Sequence, residues 1–161
     1  QTALDKIFAI KKRDTKKPLL VVAHDASLMM QYIKWNNTLD DIANKYWPGP
    51  LTVVASAVAN CGLADGVKAA DNTVAFRITE HPLAAVLSKE LRRPLVSTSA
   101  NIASLDNPYD IKSVRAMFDN AEFQPDIIID AGELPYLSPS TIIKISRGNE
   151  IHVIRQGSVI V

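Results

Sequence analysis

Residues 73–101 read TVAFRITEHPLAAVLSKELRRPLVSTSAN, a strand, a helix and a strand in succession. Thr73 to Ile78 alternates and carries β-branched residues, the mark of a strand. Pro82 suits a first helical turn, where its missing N–H has no partner to lose. Leu83, Val86, Leu87 and Leu91 then continue at helical spacing. Pro94 to Val96 is a short apolar strand, and it opens into Ser97-Thr98-Ser99-Ala100-Asn101, small and polar throughout.

The same alternation extends in both directions. Upstream, Leu4, Ile7 and Phe8 predict a helix running towards Lys11. Pro18 would stop any helix before it, and Leu19 to Ala23 reads as a buried strand. Asp25 is placed to cap a helix carrying Leu28, Met29, Tyr32 and Ile33. Thr38 and Asp41 resemble a capping box opening a helix towards Tyr46. Trp47-Pro48-Gly49-Pro50 is irregular, Leu51 to Ala57 is a strand, and residues 58–72 form a loop. Downstream, Asp110 can cap a helix holding Ile111, Val114 and Met117. Asp126 to Asp130, Thr141 to Ile145 and Ile151 to Ile154 complete the strands. The pattern predicts a single-domain α/β fold over 1–161, an open twisted sheet with flanking helices and no interdomain linker.

Composition narrows the function classes. The chain has 161 residues, 47% hydrophobic and 22% charged, with a net charge of +1, so a nucleic-acid contact would need a local patch. The lone Cys61 cannot form an intramolecular disulfide, and no other thiol is present for a sulfur-based metal site. Apolar runs are too short to cross a bilayer, and no signal-peptide core is seen, so a cytoplasmic, non-membrane protein is expected. The absent initiator Met suggests a start inside a longer chain. Neither GxGxxG nor GxxxxGK[ST] occurs, and His24, His81 and His152 lack metal-ligand spacing, so no metal site is expected.

Three stretches could carry chemistry. Lys11 to Lys17 packs four lysines and one arginine into seven residues. Such a cluster faces an anion or is a solvated helix end that suits the helix dipole. Ser97 to Asn101 follows a strand, where ligands of open α/β sheets bind, but equally suits a turn with a helix cap. Arg155-Gln156-Gly157 joins a charged fork to a bare backbone, or is an edge turn with an exposed arginine. No histidine pairs with the serines as in a nucleophilic triad.

Read in order, six stretches resemble the YrdC family of threonylcarbamoyl-AMP synthases. They are Lys11-Lys12-Arg13 with Lys17-Pro18-Leu19; Trp47-Pro48-Gly49-Pro50-Leu51-Thr52; and Thr73-Val74-Ala75-Phe76-Arg77 with His81-Pro82-Leu83. Pro94 to Asn101, then Ser140-Thr141, then Ile154-Arg155-Gln156-Gly157 complete the series. The resemblance implies an open twisted mixed sheet with flanking helices around a concave, positively charged cavity. It implies a nucleotidyltransferase that converts L-threonine, bicarbonate and ATP, with magnesium (Mg2+) assisting, to threonylcarbamoyl-AMP and pyrophosphate. The product would pass to the transferase proteins of tRNA t6A modification.

By the same resemblance Lys11, Arg13, Ser99 and Asn101 form the catalytic set. Arg77, with Ser99 and Ser140, would hold threonine. Arg13, Lys17, Thr73, Ser97, Asn107 and Arg155 would line the nucleotide side. Relatives begin with a strand and a Pro-Thr-(Asp/Glu)-Thr-like segment that has no counterpart here, and the Gly after their Ser-Ala-Asn-x-Ser is missing beyond Ile102. A double-stranded RNA or tRNA-binding module and an inactive paralogue are the competing readings.

Overall fold

Alternating burial on three neighbouring strands builds the centre of a six-stranded mixed sheet. The computed structural model describes residues 2–161. In order the elements are α1 (Thr2–Lys11), β1 (Leu20–Ala23), α2 (Ala26–Met30), α3 (Asn37–Tyr46), β2 (Leu51–Ser56), β3 (Thr73–Ile78), α4 (Pro82–Leu91), β4 (Leu95–Ser97), α5 (Ile111–Phe118), β5 (Thr141–Ile145) and β6 (Ile151–Arg155). Two compact units result. A loop unit comprises residues 1–17 and 98–137, and a sheet unit comprises residues 18–97 and 138–161. No Gly- or Ser-rich linker marks the joins, so they are invisible in the sequence.

In the sheet unit the strand order is β4-β1-β3-β2-β5-β6. β1 runs parallel to β3 and β2 parallel to β5, while β4, β3 and β6 pair antiparallel with β1, β2 and β5. Val53, Val74, Phe76 and Ile143 are completely buried, so the hydrophobic gain is concentrated on the middle strands. Trp47 packs on Phe76 with ring centroids 5.3 Å apart, and its indole N–H donates to the Leu51 carbonyl at 2.7 Å. Gly49 sits where a Cβ would meet the Tyr46 carbonyl at 2.5 Å, which explains a glycine between the two prolines.

Several elements differ from expectation for local reasons. α3 is capped by Asn36, whose side chain accepts from the Leu39 N–H, and not by Thr38. α2 stops at Met30, and Ile33 instead forms a bridge with Ala57. On α4 the periodic Leu83, Val86, Leu87 and Leu91 are all more than 40% exposed; the buried residue is Ser88, whose hydroxyl donates to the Arg93 carbonyl at 3.0 Å. β6 is an edge strand exposed along its whole length.

In the loop unit, α1 buries Leu4 and Phe8, and α5 is capped by Asp110 as expected. Asp126–Asp130 is not a strand. Ile127 to Ile129 are exposed, and their backbones have no ladder partner among the described residues. β-branched residues favour extended backbone, but a strand exists only when a second one pairs with it. No helix among the described residues is long and apolar enough to cross a membrane.

Candidate active site

Helix α1 ends in a way that delivers Lys11 inward. Lys12 takes a left-handed conformation (φ 48°), its N–H bonds to the Ala9 carbonyl at 3.1 Å, and the Arg13 N–H bonds back to the Phe8 carbonyl at 3.0 Å. This is the paired closure of a helix end, with a lysine where glycine is usual. Lys11 itself is 4% exposed. Its ammonium donates to the Ser99 carbonyl, to the Asn101 carbonyl at 2.6 Å and to Asn101 Oδ1 at 3.1 Å. Three protons therefore meet three oxygens. Burial holds the lysine below its ordinary pKa, and the Arg13 charge lowers it further.

The Ser-x-Asn loop is locked in turn. Ser99 Oγ donates to Asn101 Oδ1 at 2.6 Å, the Asn101 amide donates to the Leu105 carbonyl, and the Ala103 N–H donates to the Lys11 carbonyl at 2.8 Å. With the carbonyls of Ser99 and Asn101 turned onto the ammonium, the backbone N–H groups of Ser99, Ala100 and Asn101 have no partner among the described residues. Unpaired backbone N–H groups carry partial positive charge, which suits them to an anionic ligand. No helix follows directly, so the turn-plus-helix-cap reading of Ser97–Asn101 falls away.

These residues line a cavity of about 390 Å³ within the loop unit, whose remaining walls are largely apolar: Ile7, Ile10, Val114, Phe118 and Ile127 to Ile129. Lys11 is the one cation in the lining, against Asp110 and Asp130. Arg13 does not line it; its Nε donates to the Lys17 carbonyl at 3.2 Å. Lys17 and Asn107 are exposed, and neither lines this cavity.

In the sheet unit a second group forms. Ser140 Oγ lies 3.0 Å from Thr52 Oγ1, and the Arg155 guanidinium donates to the Ser140 carbonyl at 2.7 Å and to Ser140 Oγ at 3.3 Å. Arg155 pairs with Ile142 and Ile142 with Thr52. Arg77 follows Phe76, the partner of Val53, so it falls opposite Thr52 on the same face. Arg77 Nε is buried without a hydrogen-bond partner among the described residues, and burial lowers the guanidinium pKa, with Glu80 opposing. A half-buried guanidinium whose Nε has no acceptor is suited to a carboxylate fork.

The sheet thus gathers Arg77, Ser140 and Arg155 at one end. It does not bring Thr73 there. Thr73 starts β3 opposite Ser56, at the far end of the strand, and its hydroxyl donates to Asp71 at 2.6 Å. Ser97 closes the edge strand β4 opposite Leu20. Two residues missed in the sequence are Thr52, fully buried behind Ser140, and Thr141, whose hydroxyl accepts the Gly157 N–H at 3.0 Å and donates to the Val159 carbonyl at 2.6 Å. Their signal was position: Thr52 follows the Pro-Gly-Pro stretch and Thr141 follows Ser140 in the motifs already quoted. A Cβ at Gly157 would lie 2.2 Å from the Pro139 carbonyl oxygen, so only glycine fits beside this group.

The described residues thus form a mixed α/β fold with an arginine-serine group at one end of its sheet and a lysine-locked Ser-x-Asn loop. The chain belongs to the Sua5/YciO/YrdC family, whose model, described as telomere recombination, matches residues 1–157. It is 32% identical over 160 residues to a putative threonylcarbamoyl-AMP synthase of Methanocaldococcus jannaschii, covering 99% of this chain and 72% of that protein. It is 27% identical to the threonylcarbamoyl-AMP synthase of Psychromonas ingrahamii, covering 94% of this chain and 79% of that one. The crystal structure of P. abyssi Sua5 complexed with L-threonine superposes with a TM-score of 0.84 at 26% identity, over 98% of this chain but only 45% of Sua5. E. coli YciO shares the fold, with a TM-score of 0.80 at 22% identity over 98% of this chain and 74% of that one.

Proposed function

We propose that the chain is a threonylcarbamoyl-AMP synthase, a nucleotidyltransferase acting on L-threonine, bicarbonate and ATP. The observation that carries this reading is the Lys11-locked loop, which frees three consecutive backbone N–H groups in a chain whose curated relatives bear that name. In the first step the threonine amine attacks the bicarbonate carbon, water leaves, and a carbamate forms. A carbamate oxygen then attacks the α-phosphorus of ATP, and the bond to pyrophosphate breaks.

The residues of this chain fit those demands. The Ser99 hydroxyl, its proton given to Asn101, keeps lone pairs for an amine N–H. Negative charge grows on the phosphorus oxygens as the carbamate attacks, and the N–H groups of Ser99 to Asn101 can stabilise it without reorganising. Arg13 would add positive charge to the polyphosphate, with Lys17 and Asn107 supporting it. Arg77 would take the threonine carboxylate, Ser140 its neighbourhood, and Arg155 the nucleotide. Thr73 and Ser97, the other nucleotide-side assignments, are the weaker ones on geometry. Among the described residues no three carboxylates, histidines or cysteines stand together, so Mg2+ would be held through the phosphates of ATP. The product would be handed in the cytoplasm to the transferase that modifies tRNA.

The test is pyrophosphate release by the purified chain with each substrate omitted in turn. Release that needs threonine, bicarbonate and ATP together, and that falls by about a hundredfold or more in Asn101→Ala, whose side chain anchors the donor loop to Lys11 and Ser99, supports the reading. Release indifferent to threonine overturns it.

A further inference from the structure

The sheet unit carries a second cavity, of about 300 Å³, at the opposite end of the sheet from Arg77, Ser140 and Arg155. It lies where β2 ends, β3 begins and the β5–β6 turn passes, and Lys34, Ser56, Asn72, Ser146, Arg147 and Asn149 line it. Donors dominate there. The Lys34 ammonium, the Arg147 guanidinium and the Ser56 hydroxyl make no hydrogen bond or ion pair among the described residues. Asn149 presents its Oδ1 to the Asn36 amide at 2.8 Å, which leaves its own NH2 group free.

The one carboxylate in the lining, Asp71, is already answered. It accepts from Lys144 at 2.7 Å and from Thr73 at 2.6 Å. At the start of α3, the Asn36 side chain already accepts the Leu39 N–H. Two unanswered cations of different geometry, a fork and a point charge, beside amide and hydroxyl donors match the three oxygens of a phosphoryl group. We propose that this cavity binds a phosphoryl group, either as inorganic phosphate or as the terminal group of a small phosphate monoester.

The experiment is a titration of the 15N-labelled chain with inorganic phosphate and, separately, glycerol 2-phosphate, at constant ionic strength against sodium chloride. The expected result is saturable shifts of the residue 71–72 and 146–149 amides. Arg147→Gln should weaken binding about tenfold, as expected for loss of a charge-assisted fork, with the rest of the spectrum unchanged. Binding of phosphate alone, of the ester alone, or of both identifies the source. Shifts reproduced by sodium chloride, or phosphate binding undiminished in a Lys34→Gln/Arg147→Gln variant, overturn the proposal.

Discussion

Lys11→Met is the sharpest test of the loop unit, because methionine keeps the apolar stem and removes only the ammonium. Three acceptors lose their donor: the carbonyls of Ser99 and Asn101, and Asn101 Oδ1. Oδ1 still receives the Ser99 hydroxyl at 2.6 Å. Ser99 is exposed, so its carbonyl can turn to water. The full penalty therefore falls on the Asn101 carbonyl, in a residue only 7% exposed. A buried acceptor left alone costs about 1–3 kcal/mol, and relief of the ammonium's desolvation offsets part, so a net loss of about 2 kcal/mol is expected. Urea unfolding measures that loss, and pyrophosphate release should fall far more steeply, because freed carbonyls let the N–H cradle rotate away.

The pH dependence carries its own sign. Lys11 titrates below 10.5 in the folded chain because burial disfavours its charge. The unfolded chain therefore holds more protons just below that pH, and wild-type stability gains there as pH rises. The gain should be missing from Lys11→Met. A variant within about 0.5 kcal/mol of wild type, turning over normally, would refute the idea that the lysine organises this loop.

Three further outcomes follow from particular contacts. Arg77→Leu removes a buried nitrogen that no group satisfies, so thermal stability should hold or rise while threonine affinity, read by calorimetry, drops at least roughly tenfold; a fall in both would mark Arg77 as structural. Gly157→Ala drives a Cβ to 2.2 Å from the Pro139 carbonyl oxygen and should cost at least about 2 kcal/mol in urea unfolding, whereas Gly132→Ala, with open space but φ 77°, should cost only about 1 kcal/mol. Asp71, held at about 2 by Lys144 and Thr73, contributes stability above its unfolded value of 3.8 that disappears as pH falls through about 2. Screening at this exposed pair limits the contribution to about 1 kcal/mol, and Asp71→Asn should flatten that part of the acid profile.

What could be read in the sequence divides along a physical line. Local signals carried: Pro82 opens α4, Asp25 and Asp110 cap their helices, and β-branched alternation marks β3 and β5. Signals whose meaning depends on a distant partner did not. Ile127 to Ile129 have the composition of a strand and no strand beside them. Leu83, Val86, Leu87 and Leu91 have the spacing of a buried stripe, yet α4 meets β1 and β4 through its small residues, Ser88 at their centre.

The candidate site divides in the same way. Residue type singles out Lys11, Ser99 and Asn101, but only the fold shows that the Lys11 ammonium holds the loop's carbonyls and leaves its N–H groups unpaired. Thr73 and Arg77 belong to one sequence motif. Four residues of extended strand, about 13 Å, separate them, and the antiparallel register with β2 sends one to Ser56 and the other to Thr52. A motif names the strand; the register decides which neighbours each of its residues meets.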